Sequence, residues 1–577
     1  MTNLGDNTIQ AKRNLWPLFL AVGLALYYAL PLLLKISWWG VRDWDLFTTV
    51  AAAPVGCIEH YGQFPFWNPW MGGGNILFHH PEVLVLSPFL ILYLLFGAVV
   101  GLKLQVLICY FIGFLGSQRL GHRLGLSTGA ALVFAIAYFG SVHFALHFAE
   151  GHMPFTHYCF LPWFFYFVLK AAEERRMTIW AGFTLALMIL GNGAAIPLLY
   201  TLSFTGLMIA LLSIRDRTWI LPAGWLGAVA VGCGVAAVKF LPMVVYLLQN
   251  TWEGNPHESI PFSALGAIFM GTDHSLFSEN FPEQFWAWHE YGAYFSPLLL
   301  IAAVWAFRRR FGRLWPWLVA AVAFLLLGMG DFGWCSPWAL VSQLPGFSSA
   351  RCTGRAFQFV LLSLGFVGAL GLDMLWRRAG DSPRVQFWRG WLSLGALVVV
   401  ATNLIFAWPI LGSANRQPPE DVVRHDEFRQ VVNDRLAYEN YLANRGSLLS
   451  PWLSAYHPSR GLVDADSTAH MEHLLFGQAR VLERRYTPNR IRYSVQVLQP
   501  GAMVIGMGYD PGWRATDGRP LKATRGLITF ELSPGTDNVV LEYRSPYFYH
   551  GLVISLLISI AAAALAGRRR KQSRAEE

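Results

Sequence analysis

Residues 15–34 read LWPLFLAVGLALYYALPLLL, and Arg42-Asp43-Trp44-Asp45 follows shortly after them. An apolar run of about 20 residues is long enough to cross the hydrocarbon core of a bilayer as one helix. The run lies after Lys12 and Arg13 and has no small-residue cleavage site behind it, so we predict an uncleaved first span and not a signal peptide. The acidic sequence then begins the first loop on the far side of the membrane.

The composition of the whole chain agrees with a membrane environment. Hydrophobic residues make up 54% of the 577 positions and charged residues only 14%, which is too apolar for a soluble protein. The net charge of +9 comes from arginines in short runs between apolar stretches, where membrane topology explains them better than nucleic-acid binding does. We therefore expect membrane lipids, and no nucleic acid, as partners.

Apolar stretches recur along the chain and predict a polytopic α-helical membrane protein with about twelve transmembrane helices. The predicted spans are residues 15–34, 102–116, 128–146, 155–169, 178–190, 194–212, 219–246, 294–307, 314–329, 356–375, 391–410 and 551–566.

Clusters of arginine between these spans fall on one side, which the positive-inside rule assigns to the cytoplasm. We therefore predict a multi-pass protein of a bacterial cytoplasmic (inner) membrane with both termini in the cytoplasm. The clusters are Arg119 and Arg123, Arg175 and Arg176, Arg215 and Arg217, Arg308 to Arg310, Arg377 and Arg378, and Arg568 to Lys571.

Residues 83–100 are also apolar, but a span there would move every later arginine cluster to the opposite side. We predict that this stretch is re-entrant or interfacial. The extracytoplasmic loops of the membrane domain, residues 1–410, are then residues 35–83, 249–293 and 331–354. Chemistry outside the membrane has to use these loops.

A soluble composition begins at residue 411 and lasts to residue 550. Short runs typical of strands alternate there with turn sequences such as Pro500-Gly501, and the upstream half has a helix-like pattern. We predict an extracytoplasmic α+β domain that contains a small β-sandwich and serves as a structural or acceptor-binding cap. A last transmembrane helix and a basic cytoplasmic tail follow at residues 551–577. The predicted strands are residues 492–497, 502–507, 528–532 and 538–543.

Asp43 and Asp45 are candidates for chemistry because they bring two carboxylates to the membrane surface. They can bind a divalent metal, Mg²⁺ or Mn²⁺, through oxygen ligands, or one of them can take a proton from an acceptor hydroxyl. The alternative is that they pair with Arg42 and cap a helix. Glu150, in the next loop, can join Asp45 across a shared cavity, and His152 lies close to it in the sequence.

The first loop continues with GQFPFWNPWMGGG (residues 62–74), which is dense in aromatic residues and glycines. Such a segment can form a rigid wall for a sugar, with Trp67 and Asn68 as its contacts, or supply an ordinary belt of interfacial aromatics. His79 and His80 follow and can add metal ligands to the two aspartates.

Three basic residues are candidates for binding a phosphate. Lys239 lies within the seventh predicted span, where a cation needs a partner, a water-filled path or a snorkelling route to the interface. Arg351 and Arg355 are in an outer loop and break the positive-inside pattern. The arginine fork matches phosphate oxygens, so a polyprenyl phosphate head group is a natural partner, with simple headgroup contact as the alternative.

Several of these motifs occur together in one family. They are Asp43 and Asp45, the run from Phe64 to Pro69 with Gly72-Gly73, Pro345-Gly346-Phe347 leading to Arg351 and Arg355, the run from Tyr509 to Trp513, and Gly551. In these features the sequence resembles the YfhO-type bacterial membrane proteins, which are grouped with the GT-C class of integral-membrane glycosyltransferases.

The resemblance implies a GT-C-like fold and a glycosyltransferase with a polyprenyl-phosphate-linked sugar as donor. Transfer would occur outside the cytoplasm to a cell-envelope glycan or lipid. The acidic position of the family would fall on Asp45 or Asp43, and a second acid on Glu150. The chain departs from the family pattern at Gly191-Asn192-Gly193, where a Gly-His pair is expected.

The leading hypothesis from the sequence is that Asp45 activates an acceptor hydroxyl for attack on the anomeric carbon of the donor sugar. Arg351, Arg355 or Lys239 would stabilise the departing phosphate. Two rivals remain. A transporter or flippase of a lipid-linked glycan also uses external aromatics and a few charges, and a non-catalytic envelope assembly factor would rely on the C-terminal domain.

Overall fold

The structure is a computed structural model of the chain. It describes residues 15–249, 258–276, 278–282, 284–344, 346–347, 350–378, 383–419, 422–431, 437–447 and 470–576. Parts of the predicted loops 249–293 and 331–354, and residues 448–469 of the predicted C-terminal domain, therefore lie outside the described residues.

Helices dominate the described part of the chain. In chain order they are α1 (Trp16–Leu33), α2 (Asp43–Glu59), α3 (Leu90–Arg123), α4 (Thr128–Tyr138), α5 (Val142–Glu150), α6 (Leu161–Ala171), α7 (Met177–Leu190), α8 (Ile196–Asp216), α9 (Ile220–Val235), α10 (Ala237–Gln249), α11 (Leu265–Met270), α12 (Pro297–Gly328), α13 (Pro337–Val341), α14 (Phe357–Arg378), α15 (Pro383–Gly412), α16 (Ala437–Leu442) and α17 (Phe548–Glu576).

The prediction of a polytopic helical membrane protein is confirmed. Among the described residues, seven helical stretches are long and apolar enough to cross a membrane, or nine if each of two bent helix pairs is one span. This number is smaller than the twelve predicted because some predicted spans are short helices and others are joined. The predicted span 155–169, for example, begins as a 3₁₀ helix and continues as the 11-residue α6.

Helix α12 joins the predicted spans 294–307 and 314–329, and its backbone is non-helical at Arg310. Just before α12, the Phe295 N–H donates to the Phe269 carbonyl at 2.7 Å. Just after α12, the Met329 carbonyl accepts from the Ile260 N–H at 2.8 Å. A straight helix of 32 residues would be about 48 Å long, too long for both ends to contact one short segment. The chain therefore reverses near Arg310, as the two predicted spans require.

The stretch 83–100 leads into α3, which is interrupted at Gly97, where φ is 75°. A few residues later, the Lys103 ammonium donates to the Trp38 carbonyl at 2.7 Å. Because Trp38 follows α1, the part of α3 that begins after Gly97 lies beside the end of α1. The re-entrant or interfacial position of residues 83–100 stays a prediction.

Arginines from separate clusters meet at one end of the helical bundle, which we call the arginine end. Arg123, Arg215, Arg310 and Arg313 line one cavity of about 580 Å³ there. The opposite end, which we call the loop end, carries the described residues of the ranges 35–89, 258–296 and 330–356, which contact one another there or contact the end of α5. Members of three of the six predicted arginine clusters, Arg123, Arg215 and Arg310, are thus brought together in the fold.

Short strands β1 (Trp39–Gly40), β2 (Trp67–Asn68), β3 (Asn75–Ile76), β4 (Asn415–Arg416), β5 (Arg429–Val431) and β6 (Arg445–Ser447) pair two by two near the loop end. A larger antiparallel sheet follows, with strand order β10-β11-β8-β12-β9 and β7 paired to β8. Its strands are β7 (Glu472–Thr487), β8 (Arg490–Gly508), β9 (Trp513–Ala515), β10 (Lys522–Thr524), β11 (Leu527–Leu532) and β12 (Gly535–Tyr543).

The sheet corrects two details of the sequence prediction. The predicted strands 492–497 and 502–507 are one strand, β8, which runs through Pro500-Gly501 without a turn. Its first half pairs with β12 and its second half with β11, so hydrogen bonds join the described strands into one sheet, and the strand-rich region predicted from the sequence is present. Strand β7 was missed because most of its side chains are exposed, which removes the alternation that marks a half-buried strand.

Candidate active site

The first wall of the site forms where α2 begins and α5 ends. The two aspartates in the first turn of α2 favour a helix start because they complement its positive end. Gly151, which ends α5 with φ 105°, lies so close to α2 that a Cβ atom there would be 2.2 Å from the Trp44 nitrogen. Only glycine permits this contact, and the contact brings the residues on either side of Gly151 next to Arg42 and Asp43.

Two ion pairs result from this approach. The Arg42 Nε lies 2.7 Å from a Glu150 carboxylate oxygen, and the His152 Nε2 lies 3.2 Å from the Asp43 Oδ2. The Asp43 side chain is 21% exposed, so small molecules can reach it from the loop end. Arg42 itself has a φ of 56°, a conformation that costs free energy for a residue with a side chain and is typical of functional sites.

The second wall comes from two 3₁₀ helices, Trp288–Glu290 and Thr353–Ala356. The Arg355 Nε donates to a Glu290 carboxylate oxygen at 2.8 Å. His289 connects the walls, because its Nδ1 lies 3.7 Å from a Glu150 oxygen. Burial alone would raise the pKa of Glu290, but the Arg355 guanidinium holds it well below its usual range. We call the connected side chains of Arg42, Asp43, Glu150, His152, His289, Glu290 and Arg355 the ionic cluster.

Glu82 adds a further carboxylate beside the ionic cluster. Burial raises its pKa to about 7, while the charges of Arg355, Arg351 and Lys239 oppose this rise and that of Asp43 adds to it. A carboxyl group with a pKa near neutrality can exchange protons under physiological conditions. The three basic residues predicted to bind phosphate therefore all act electrostatically on one group at the loop end.

Asp45 has a different environment from Asp43. Its carboxylate accepts the backbone N–H groups of Ala437 at 2.7 Å and Tyr438 at 3.3 Å. Burial raises the pKa of Asp45, and these two N–H groups lower it. The contacts match the helix-capping alternative, although the capped helix is the distant α16 and not α2.

The four predicted metal ligands Asp43, Asp45, His79 and His80 do not meet. His79 Nδ1 lies 2.9 Å from the Ser545 hydroxyl, and His80 Nδ1 accepts the Glu82 backbone N–H at 3.1 Å. Burial, with a smaller effect of Lys239, lowers the pKa of His79 to about 3. Among the described residues, no three ligand atoms of these four side chains lie close enough together to hold an ion. The predicted Mg²⁺ or Mn²⁺ site is therefore not assembled from these residues.

Trp67 and Asn68 lie under the C-terminal sheet and away from solvent. Trp67 is 2% exposed and packs against Trp513 and Tyr543, with ring centroids 5.4 and 4.6 Å apart. The Asn68 side-chain oxygen accepts the Trp70 N–H at 3.0 Å. In this conformation Trp67 holds the sheet on the first loop, Asn68 fixes the turn that leads to Trp70, and neither buried side chain lines an open surface for a sugar.

Lys239 is fully buried and donates to the carbonyls of Gly191, at 2.6 Å, and Val83. The ammonium group therefore joins the end of α7 to the stretch before α3, and it does not snorkel. His157 fills the space beside Gly191, where a Cβ atom would lie 1.9 Å from its Nε2. The glycines at the departure from the family pattern thus make room for another histidine.

The sequence interpretation missed Glu290, His289 and His147 of α5. Arg355 indicates that a carboxylate partner exists, because a buried arginine needs one, but it does not identify Glu290 among the several acids of the loop 249–293. The histidines gave no comparable signal, since only the fold brings residues 147, 152 and 289 together.

Comparisons with known proteins agree in part with the sequence interpretation. The family model described as "Bacterial membrane protein YfhO" matches residues 468–555. No curated protein matches the chain.

Among solved structures, the chain is similar to the arabinofuranosyltransferase AftD from Mycobacteria, with 15% identity, a TM-score of 0.41, and coverage of 69% of this chain and 27% of AftD. It is also similar to ArnT from Cupriavidus metallidurans bound to undecaprenyl phosphate, with 13% identity, a TM-score of 0.41, and coverage of 75% of this chain and 86% of ArnT. The Archaeoglobus fulgidus oligosaccharyltransferase complex with Zn and sulfate shares 12% identity at a TM-score of 0.39, over 76% of this chain and 62% of that one.

These TM-scores are too low to assign a function to the site. The family match covers all six strands of the larger sheet and the start of α17, and it includes the Tyr509-to-Trp513 motif. Over residues 468–555 the chain matches the YfhO family of bacterial membrane proteins, and the resemblance drawn from the sequence is confirmed for that part.

Proposed function

We propose that this chain is a membrane glycosyltransferase that moves a sugar from a polyprenyl-phosphate-linked donor to a cell-envelope glycan or lipid. The reaction would take place at the loop end, which we assign to the outer side of the bacterial inner membrane, with both termini at the cytoplasmic arginine end. The observation that supports the proposal most is the Asp43–His152 pair at 3.2 Å beside the Arg42–Glu150 pair at 2.7 Å. A carboxylate that substrates can reach, next to cations held in place by ion pairs, suits the transfer of a sugar from a phosphate.

Asp43, and not Asp45, is the proposed general base. Asp45 is held by the N–H groups of α16, whereas Asp43 is partly exposed and oriented by His152. As the acceptor oxygen bonds to the anomeric carbon, its proton moves to an Asp43 oxygen. Glu150 holds Arg42 in place and is a positioning residue in this scheme.

The bond between the anomeric carbon and the donor phosphate breaks in the same step, and its electron pair leaves with the phosphate. Arg351 is the proposed phosphate ligand, because its charge acts on Glu82 beside the ionic cluster and a guanidinium there can stabilise the charge that develops on the phosphate. Arg355 is engaged with Glu290, and Lys239 with two backbone carbonyls, so both are proposed to position the site. A single displacement inverts the configuration at the anomeric carbon.

Glu82 is the second candidate for the base, because its pKa of about 7 suits proton transfer at neutral pH. Asp43 is preferred because it is paired with a histidine that fixes its orientation. If Glu82 is the base, transfer by the wild type rises to half its maximum near pH 7, and Glu82→Gln abolishes transfer while Asp43→Asn does not.

The test is mass spectrometry of the products formed by purified protein with a panel of polyprenyl-phosphate sugars and an envelope-lipid extract. Asp43→Asn should lower the rate by about 100-fold or more, while Asp45→Asn, its neighbour and matched control, should keep the rate per folded molecule. Loss in Asp45→Asn alone would instead make Asp45 the base. Absence of transfer by a folded wild-type protein would favour transport of a lipid-linked glycan or an assembly role.

A further inference from the structure

His147, His152 and Glu290 form a group that the proposed sugar transfer does not use as a unit. They come from α5, the segment after it and the 3₁₀ helix at residues 288–290, and all three are buried. Each offers one ligand atom, and these atoms lie within 4.8 Å of one another. We infer that these three residues bind a transition-metal ion of the zinc class, independently of whether the chain transfers a sugar.

The contact between the two histidines is the first argument. Their Nδ1 atoms face each other at 2.8 Å, and the rings are nearly parallel, with centroids 5.0 Å apart. Nitrogen ligands on one tetrahedral zinc ion lie about 3.3 Å apart, given Zn–N bonds of about 2.05 Å. The two ring nitrogens are therefore almost at the spacing that a shared ion requires.

Unsatisfied ring nitrogens are the second argument. Within the described part of the chain, the Nε2 of the fully buried His147 has no hydrogen-bond partner, and its Nδ1 bonds only to the His152 Nδ1, so either ring nitrogen of His147 is available to an ion. Buried polar atoms without partners cost free energy and call for an explanation such as an ion. His289 lies beside the group, with its ring centroid 4.9 Å from that of His152, and can serve as a further ligand.

The contacts of His152 resemble those of a metal-bound histidine whose far ring nitrogen is held by a carboxylate. Its other ring nitrogen, Nε2, contacts the Asp43 carboxylate at 3.2 Å. A carboxylate on the far nitrogen of a metal-bound histidine fixes the ring and makes it a better donor. If both inferences are correct, Asp43 connects the metal group to the acceptor.

The charges nearby also favour a cation. Asp43, Glu150 and Glu290 carry three carboxylates, against two guanidinium groups on Arg42 and Arg355. The Arg355 guanidinium donates hydrogen bonds to both carboxylate oxygens of Glu290. Each of these oxygens has a second lone pair that can bind a metal. Two imidazoles and one carboxylate are typical ligands of zinc, whereas magnesium prefers oxygen ligands alone.

Zinc binding by the metal-stripped full-length protein in lipid nanodiscs tests the inference. We expect one zinc ion per chain by equilibrium dialysis and elemental analysis, and binding at least tenfold weaker in His147→Ala and Glu290→Gln. His274→Ala is the matched control, because His274 is also buried at the loop end with an unpartnered Nε2 among the described residues. The zinc affinity of the His274→Ala variant should equal that of the wild type. Zinc at equal affinity in His147→Ala, or none in the wild type, would overturn the inference.

A second measurement needs no variant, which matters because Glu290→Gln also breaks an ion pair. X-ray absorption at the zinc K-edge of the zinc-loaded wild type reports the atoms bound to the ion. We expect two or three imidazole nitrogens at about 2.05 Å and at least one oxygen. A shell of oxygen atoms alone, or of sulfur atoms, would contradict the site even if some zinc binds elsewhere. Neither measurement uses sugar transfer, so a failed transferase assay leaves the metal result intact.

Discussion

Asp45 accepts the backbone N–H of Ala437 at 2.7 Å, although 392 residues separate the two along the chain. One carboxylate of the first loop thus caps α16 in the segment that follows the membrane domain. The neighbouring Asp43 faces the ionic cluster instead. This difference between two aspartates leads to the first prediction.

Replacing Asp45 with alanine should destabilise the docking of α16. The variant loses a cap to two N–H groups, and such caps contribute about 1 kcal/mol. We expect faster proteolysis within residues 437–447 and a lower Tm. Asp45→Asn, which keeps an acceptor oxygen, should lie between the alanine variant and the wild type. Unchanged proteolysis in Asp45→Ala would show that the contact contributes nothing to stability.

Breaking the Glu290–Arg355 pair should be strongly destabilising. Arg355→Gln leaves the 3% exposed Glu290 carboxylate without its main cation, and removal of one partner of a buried pair costs about 3–5 kcal/mol. The double variant Arg355→Gln/Glu290→Gln should recover part of this loss, because no isolated charge remains. Thermal unfolding in nanodiscs with a chelator present measures both. Additive losses in the double variant would argue against direct coupling.

Glu258 should make stability depend on pH. It accepts hydrogen bonds from the Tyr291 hydroxyl at 2.6 Å and the Thr353 N–H at 2.8 Å, yet burial raises its pKa from 4.5 to about 7. Between these values the folded state binds a proton that the unfolded state has lost, so stability falls as pH rises from about 4.5 to about 7. The total change is roughly 3 kcal/mol, at about 1.4 kcal/mol per unit of pKa.

The measurement compares Tm across pH 4.5 to 8 for the wild type and Glu258→Gln. The glutamine cannot titrate, so its Tm should fall less over this range. An identical slope in the two proteins would mean that the pKa of Glu258 is the same in the folded and unfolded states.

Trp67→Ala should loosen the sheet from the first loop. The indole fills the space between Trp513 and Tyr543, and deleting a buried tryptophan costs about 3–5 kcal/mol. Trp334→Ala is the control, because that side chain is 98% exposed and its loss should hardly change Tm. If Trp67→Ala instead leaves stability unchanged and selectively weakens sugar binding, the sugar wall suggested by the sequence would be the better interpretation.

Local sequence patterns predicted the helical membrane fold and the grouping of arginines, because hydrophobic length and the side preference of arginine act on each segment separately. They also identified Asp43 and Glu150. The partners of these carboxylates were harder to predict from the sequence. Arg42 is adjacent to Asp43 in sequence, but it binds Glu150 only because Gly151 lets α5 contact α2.

The role of Asp45 and the position of Glu290 could not be predicted in the same way. Both depend on contacts between segments far apart in the chain, and no spacing rule connects residues 45 and 437 or 290 and 355. Strand β8 shows a different limit. Pro500-Gly501 has the composition of a turn, but pairing with β11 and β7 keeps the backbone extended through it.

The hydrogen bond from the Trp67 N–H to the Asn489 side chain spans 422 residues, and it has a consequence for biosynthesis. When the first loop emerges from the translocation machinery, the residues that will cover it have not yet been made. Asn489 and Ala437 are translated only after every predicted membrane-spanning helix except α17 has been synthesised. A chain that stops before residue 437 would therefore leave the tryptophans of this loop without their cover, as a ready target for quality-control proteases.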